Sequence, residues 1–358
     1  MKNRFFIDIH VLQTVPPSCV NRDDTGSPKT AVYGGTSRAR VSSQSWKHAM
    51  REYFKNDIEN SNCGSRTKYL PRLVADEIRK INPDTDEEKA IKLGMKALKN
   101  AGIKTDEKSL QNSALFFISK SQIKALAELI LENVEDKKEY QNALKNNPAF
   151  DIILFGRMVA DDPSLNYDAA AQVAHAISTH EVHTEYDYFT AVDDEQKSDN
   201  AGAGHLGTIE YNSSTLYRYA TLNVTELYKW LQEDTPEVAA DFLKAFVYSM
   251  PTGKQNTFAN RTLPDMIYVT VRSDQPVNLS GAFEKAVRAD KKGYAAESCE
   301  KLLSYAEKTY SMFCDKPELA LGCGYSEKLS DCAEVMPFDK LYEKLKCYIA
   351  DNCGKEQQ

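Results

Sequence analysis

The sequence predicts an α+β protein. Three stretches, Phe5–Leu12, His183–Val192 and Thr208–Val224, alternate apolar and polar residues with period two, as half-buried strands do. Met266–Arg272 reads as a further strand. Between about 56 and 148 the strand signals vanish. There Lys, Glu, Asp and Asn dominate, and helical periodicity runs through Leu73–Ile81, Glu87–Asn100 and Gln122–Leu144. A strand-rich frame interrupted by a helical insertion is the α+β pattern.

Taken in order, Phe5, Ile7, Ile9 and Val11 oppose Phe6, Asp8, His10 and Leu12 in what reads as the first strand of the main sheet. A loop rich in Pro, Gly, Ser, Asn and Asp follows to Ser27, then a short Ala31–Tyr33 segment, then a helix with Trp46, Ala49, Met50 and Tyr53 on one face. After the insertion, Phe150–Met158 (FDIILFGRM) reads as a buried strand. Tyr167–Thr179 (YDAAAQVAHAIST) reads as an Ala-rich helix, with Asp161-Asp162-Pro163 breaking the chain before it. The strands on either side of DDEQKSDNAGAGHLG suggest a protruding hairpin or loop that something outside the subunit receives. Helices are expected over Thr225–Gln232 and Thr235–Tyr248. Gly281–Ile349 is expected to be mostly helical with a Gly-rich break at Gly322–Gly324, and the tail DNCGKEQQ to be frayed.

At 358 residues and 42% hydrophobic content, the chain has core enough for one large or two modest domains. No stretch approaches the roughly 20 apolar residues of a membrane span. The start MKNRFFIDIHVLQ alternates instead of forming a signal-peptide core, so a cytoplasmic protein without membrane contact is expected. Eight cysteines without a C-x-x-C pair read as reduced thiols rather than a zinc site. A net charge of -7 argues against uniform coating of nucleic acid and leaves room for a focused basic groove on an acidic body.

One stretch fits that groove. Between Thr25 and Arg51 lie Lys29, Arg38, Arg40, Lys47 and Arg51 with no Asp or Glu. Lys47, Arg51 and Lys55 recur every fourth residue, forming a basic stripe beside the apolar face. Ser42 and Ser43 stand where a hydroxyl can cap the helix, whose free N–H groups and positive dipole end attract anions, phosphate above all. Tyr33-Gly34-Gly35 supplies backbone able to turn tightly. The plainer reading of the same residues is a solvated amphipathic helix after a flexible loop.

No catalytic signature stands out, and no cofactor is expected. Asp23-Asp24 are ordinary turn formers that could also bind metal or do acid/base chemistry. His175, His180 and His183 with Glu181 and Glu185 resemble a metal cluster, but a helix and a strand would have to converge. Gly253-Lys254 lacks the full phosphate-loop spacing. Lys254, Asn256 and Arg261 can still touch a phosphate backbone or a neighbouring subunit. Gly202, Gly204 and Gly207 read as flexible.

Seven pieces carry a resemblance: IHVLQTVPPSCVNRDD (9–24), YGGTSRARVSSQSWKHAMR (33–51), LFGRMVADDP (154–163), QVAHAISTHEV (172–182), DYFTAVDD (187–194), GAGHLGTIEYNSSTLYRYA (202–220) and GKQNTFANRTLPD (253–265). In this order they resemble the CasC family, the backbone subunit of the type I-E CRISPR Cascade complex. The resemblance implies an RRM-like (ferredoxin-like) palm from 1–55 and 149–358, including the C-terminal helices, with helical fingers at 56–148 and a thumb at 190–215. It implies crRNA as ligand, further copies of the chain along the guide, target DNA pairing to the presented bases, and large, small, CasD and CasE subunits as partners. By similarity, Arg22, Lys29, Ser42, Gln44, Lys47 and Arg51 grip the guide backbone and Met158 wedges at a kink. Phe189 and Leu216 are candidates near the thumb, with Lys254 a further RNA-binding candidate. The chain departs from the pattern at Thr36-Ser37, where the family tends to be more basic, and in its C-terminal third. Phosphate contacts fix register without reading sequence, and base pairing then supplies specificity, so a non-enzymatic scaffold is expected. The rival is a metal-dependent target-RNA endonuclease using Asp23 and Asp24, as in the type III relatives whose loop Asp cuts RNA.

Overall fold

A computed structural model describes residues 4–59, 62–159, 162–191, 205–289, 291 and 293–354. In chain order the main elements begin with β1 (Phe6–Ser18), β2 (Thr30–Tyr33), β3 (Thr36–Val41) and α1 (Ser43–Asp57). Next come α2 (Leu70–Ile81), α3 (Glu87–Asn100), α4 (Lys120–Leu131), α5 (Lys137–Lys145) and α6 (Phe150–Phe155). Then follow β4 (Ala176–Ser178), β5 (Glu185–Ala191), β6 (His205–Asn223), α7 (Val224–Leu231), α8 (Thr235–Tyr248) and α9 (Gln255–Phe258). The last are β7 (Met266–Arg272), α10 (Ala295–Met312), β8 (Leu319–Gly324), β9 (Glu334–Val335) and α11 (Phe338–Asn352). The chain divides into two compact units, one of Met1–Tyr53, Val173–Thr225 and Glu233–Gln358, the other of Phe54–Gln172 and Glu226–Gln232.

The first unit is built on a mixed sheet in the order β9-β8-β7-β1-β6-β4-β3-β2, with β5 paired to β6. β1 is central. It runs antiparallel to β6 from Phe6↔Asn223 to Val15↔Ser214, and to β7 from Phe6↔Arg272 to Leu12↔Met266. Its alternation suggests one wet face, yet Asp8 and His10 are as buried as Ile7 and Ile9. The covered face packs Leu12, Tyr217, Tyr268, Phe283, Leu302 and Tyr310 into one cluster. Burial of polar groups needs partners, and Asp8 has them, Tyr219 donating to its Oδ1 at 2.7 Å and Val277 N to its Oδ2 at 2.8 Å, whereas His10 is half-satisfied, with Nδ1 2.9 Å from Tyr217 Oη and Nε2 unpartnered.

The Ala31–Tyr33 segment is one arm of a hairpin whose other arm, β3, the sequence did not signal. Gly34 and Gly35 take φ of 58° and 80°, the left-handed pair that a two-residue hairpin turn requires. A Cβ at Gly34 would also lie 1.6 Å from the Glu284 carbonyl oxygen, so only glycine fits. Tyr167–Thr179 is not a helix. It forms strands at Ala171–Val173 and β4, held by Ala174 N donating to Tyr219 O at 2.9 Å and by the Leu216↔Ser178 and Arg40↔Ile177 pairings. Tertiary pairing overrides alanine's helix propensity, the highest of any residue but worth only tenths of a kcal/mol per position. Gly322–Gly324 is likewise strand, the end of β8 against β7, and not a break between helices.

The second unit is mainly helical. Leu70, Val74, Ile78, Leu98, Leu126, Ile130, Tyr140 and Leu144 form its core. Asp86 caps α3, Ser119 and Gln122 make a reciprocal capping box on α4, and Asp136 caps α5. The Gln122–Leu144 periodicity is therefore two helices parted by the Asp136 cap. Two short strand pairs also occur, Ser65–Thr67 with Phe116–Ile118 and Thr105–Asp106 with Gln111–Asn112. Phe150–Phe155 is a helix where a strand was expected: a short run buried almost throughout, its one charged residue Asp151 included, carries no period to separate the two. Gly156, at φ 77°, ends it.

Candidate nucleic-acid interface

The basic helix α1 is fixed from beneath. Trp46 and Met50 are completely buried, and the Arg218 guanidinium stacks 3.7 Å from the centroid of the Trp46 ring. Arg218 donates to Gln13 Oε1 at 2.6 Å and to Phe246 O; burial lowers its pKa to about 9. At the N-terminus Ser42 N donates to Asn21 Oδ1 at 2.9 Å and Ser45 N to Ser42 Oγ at 3.4 Å, while Ser43 N faces His175 Nδ1 at 3.4 Å. The first turn holds no acidic residue. Gln44 and Lys55 are exposed, and Lys47 and Arg51 half-buried. Burial lowers the pKa of Lys47 from its ordinary value.

The loop before the hairpin brings further cations to this helix end. Lys29 N donates to Asn21 O at 2.8 Å and Arg40 N to Lys29 O at 2.9 Å, which ties the loop to Ser42 through Asn21. Burial, then the charges of Arg40 and Lys29, push the His175 pKa down, so positive potential converges where α1 begins. Arg22 is exposed and bridges to Pro28. Lys254 arrives from the 251–254 loop because Gly253 lets that loop press on Cys19 and Val20: a Cβ at Gly253 would stand 2.1 Å from Val20 O. The Cys19 thiol, raised by burial, is partly offset by both Arg22 and Lys254. Lys29 and Ser42 are thus joined through Asn21, while Arg22 and Lys254 act on Cys19 beside the carboxylates Asp23 and Glu210, a grouping that no sequence spacing announces. Asp23 belongs to the same loop, and its Oδ1 accepts from Thr25 N, Thr25 Oγ1 and Ser27 N at 2.7–3.0 Å.

Two expected contacts change. Leu216 is 1% exposed and helps form the floor of a recess of about 20 Å³ with Lys29, Arg40 and Asn212. It is a core residue of the sheet, because its strand is paired on both edges, to Gln13 and Ser178. Arg38, one of the cations in the acid-free run, is wholly buried and donates to the carbonyls of Ser178, Phe283 and Glu284, so it is structural. Phe189 lies across Gly207 on β6. Tyr186 and Tyr188 project from the same strand with more than half their surface exposed, an aromatic pair that the alternation placed on one face but did not single out as functional. Tyr211 and Phe258 lie 5.8 Å apart at the base of the β5–β6 pair. Residues 192–204, half of the expected thumb and including Gly202 and Gly204, lie outside the described residues, as do 355–358 of the tail. Met158, in the second unit, is 83% exposed. Among the described residues no group of three or more His, Cys, Asp or Glu could hold a metal ion, and none of the eight cysteines is in a disulfide.

Half-exposed cations around a capped helix end, with exposed aromatics on a neighbouring hairpin, can hold a polyanion by its phosphates and stack on bases. The fold and site thus define an α+β protein that turns a cationic loop and helix terminus outward. The comparison with known families is specific: the CT1975-like protein model matches residues 7–342, and the chain belongs to that family. Two solved structures resemble it closely. A chain of a "CRISPR RNA-guided surveillance complex, pre-nicking" is 32% identical, with 96% of this chain and 99% of that one covered and a TM-score of 0.82. A chain of a "CRISPR RNA-guided surveillance complex" is 30% identical, with the same coverage of each chain and a TM-score of 0.64. No curated protein matches significantly. Among the described residues no helix is long and apolar enough to cross a membrane.

Proposed function

We propose that the chain is a non-catalytic, crRNA-binding backbone subunit of a type I-E Cascade surveillance complex, with the mixed sheet as an RRM-like palm. Several copies follow the guide, each gripping its phosphates and leaving the bases to pair with target DNA, alongside large, small, CasD and CasE subunits. The observation that carries this reading is the tie of the Lys29 and Arg40 segment, through Asn21 and Ser42, to the acid-free N-terminus of α1, in a chain whose structural relatives come from RNA-guided complexes. Backbone contacts suit a subunit that must accept any spacer, because they carry no sequence information. The loop carboxylate Asp23 is engaged in closing its own turn, which favours a scaffold over a metal-dependent nuclease.

The test is a salt titration of single-stranded RNA binding. Lys47→Ala with Arg51→Ala is expected to weaken binding and to reduce the slope of log K against log salt by about 0.7 per lost phosphate contact, about 1.4 together. A double variant that binds and assembles with the wild-type slope would refute the grip. RNA cleavage that requires divalent metal and disappears in Asp23→Ala or Asp24→Ala would replace the scaffold by the endonuclease.

A further inference from the structure

The second unit holds a cavity of about 450 Å³ walled by Tyr167 and Trp230, inside the range of about 300–1,000 Å³ usual for small-ligand sites. Trp230 is 48% exposed although its ring is held edge-on to Tyr167 at 5.2 Å. Tyr167 is fixed in turn: its hydroxyl donates to Lys145 O, and the Arg157 guanidinium lies 4.8 Å over its ring. Arg157 is buried and donates to the carbonyls of Leu144, Leu165 and Phe117 at 2.9–3.0 Å. Burying this guanidinium lowers its pKa to about 10. The buried cation locks together the two segments, 144–145 and 165–167, that form the cavity wall, so the site is organised before any ligand arrives.

The lining chemistry selects the ligand. Lys145 and Lys229 are balanced by Asp168 and Glu226, with Lys229 and Glu226 paired at 2.5 Å, so the wall is close to neutral and does not suit a phosphate. Asn166 Oδ1 accepts from Val159 N at 2.6 Å. That orientation leaves its amide N–H groups, with the exposed Asp168 carboxylate, to meet a planar group that both donates and accepts. An aromatic wall with an amide and a carboxylate at its rim matches the face and edge of a nucleobase. Met158 stands exposed next to the Arg157↔Tyr167 bridge.

We infer that this cavity binds one unpaired nucleobase, stacked on Trp230 and read at its edge by Asn166 and Asp168. The inference rests on the guide-binding reading for which strand supplies the base, but not for the chemistry of the cavity. Trp46 and Trp230 are the chain's two tryptophans, and Trp46 is completely buried, so the emission lost in Trp230→Phe reports on the cavity alone. Three titrations of the full chain serve: adenosine, oligoadenylate, and an abasic oligoribonucleotide of equal length. Adenosine and oligoadenylate are expected to quench Trp230 saturably, whereas the abasic strand binds without quenching. Trp230→Ala is expected to weaken adenosine binding about fivefold or more and to leave abasic-strand binding unchanged. Absence of adenosine quenching, equal quenching by both strands, or quenching by an aromatic peptide in place of adenosine would overturn the inference. If neither strand bound while adenosine still quenched, the guide-binding reading would fail and the base site would stand.

Discussion

Gly253→Ala adds one methyl group and no charge, and it should still impair RNA binding. The new Cβ would lie 2.1 Å from Val20 O, 2.6 Å from Val20 C and 2.8 Å from Cys19 O, all backbone atoms, whereas ordinary contact begins near 3.4 Å. The 251–254 loop must therefore retreat by more than about 1 Å, and Lys254 moves away from the Cys19–Val20 backbone with it. Overpacking of this kind typically costs about 1–3 kcal/mol of stability. In binding, loss of one phosphate contact lowers the salt slope by about 0.7, the same loss expected of Lys254→Ala, whose loop stays in place. Anisotropy titrations of single-stranded RNA at several salt concentrations, with thermal melts of each variant, measure both effects. If Gly253→Ala melted lower yet kept the wild-type slope, Lys254 would have no part in the grip. If it melted and bound as wild type, the close approach of the two loops would itself be refuted.

Burial pushes the Asp8 carboxyl up to about 6 from an ordinary 3.8, so between those values the folded chain holds this proton more tightly than the unfolded chain. Its contribution to stability falls as pH rises through that window, by about 3 kcal/mol in all, and urea titrations from pH 4 to 7 should show Asp8→Asn with a flatter profile; coincident profiles would rule the assignment out. Arg38→Met leaves the Ser178 and Phe283 carbonyls without their donor, each a loss of about 1–3 kcal/mol. It should therefore lower the melting temperature, whereas Arg40→Ala should lower RNA affinity with little change in melting. Reversal of the two outcomes would mean that structural and binding cations have been exchanged. Met158→Ala is expected to alter the fluorescence of a 2-aminopurine-labelled guide more than its affinity, and an unchanged signal would remove Met158 from the kink.

Much of the frame was legible because its signals are local. The alternation of Phe5–Leu12, the period of Thr235–Tyr248 and the strand at Met266–Arg272 each depend on residues within one element, and each element appears in the fold. Failures occurred where a distant partner decides the outcome. The alanines of 167–179 join a sheet because backbone donors and acceptors of β3 and β6 are waiting there. Residues 150–155 hold a single polar side chain, Asp151, and it is buried with its apolar neighbours, so no period was set and only packing could choose helix. Cys19, Val20 and Gly253 meet across more than 200 residues, and with them Arg22 and Lys254; the sequence supplied both cations but not their adjacency.

The same distinction divides the cations of the acid-free run. Counted in sequence, Arg38 and Arg40 are equivalent, two residues apart on one strand. In the fold Arg38 is closed in by the Phe283–Glu284 backbone and exchanges its hydration for three carbonyls, whereas Arg40 donates to Thr30 O at 3.2 Å in an exposed contact and adds its field to that of Lys29 at His175. Arg157 and Arg218 follow Arg38: each guanidinium lies over aromatic rings and bonds to main-chain oxygens of segments remote in sequence. A guanidinium suits this role because its fork of donors satisfies several carbonyls at once. Positive charge here therefore does two separable jobs, and counting basic residues overstates the binding surface. The salt dependence of binding should track only the cations that water can reach, since a buried guanidinium has no condensed counterion to displace.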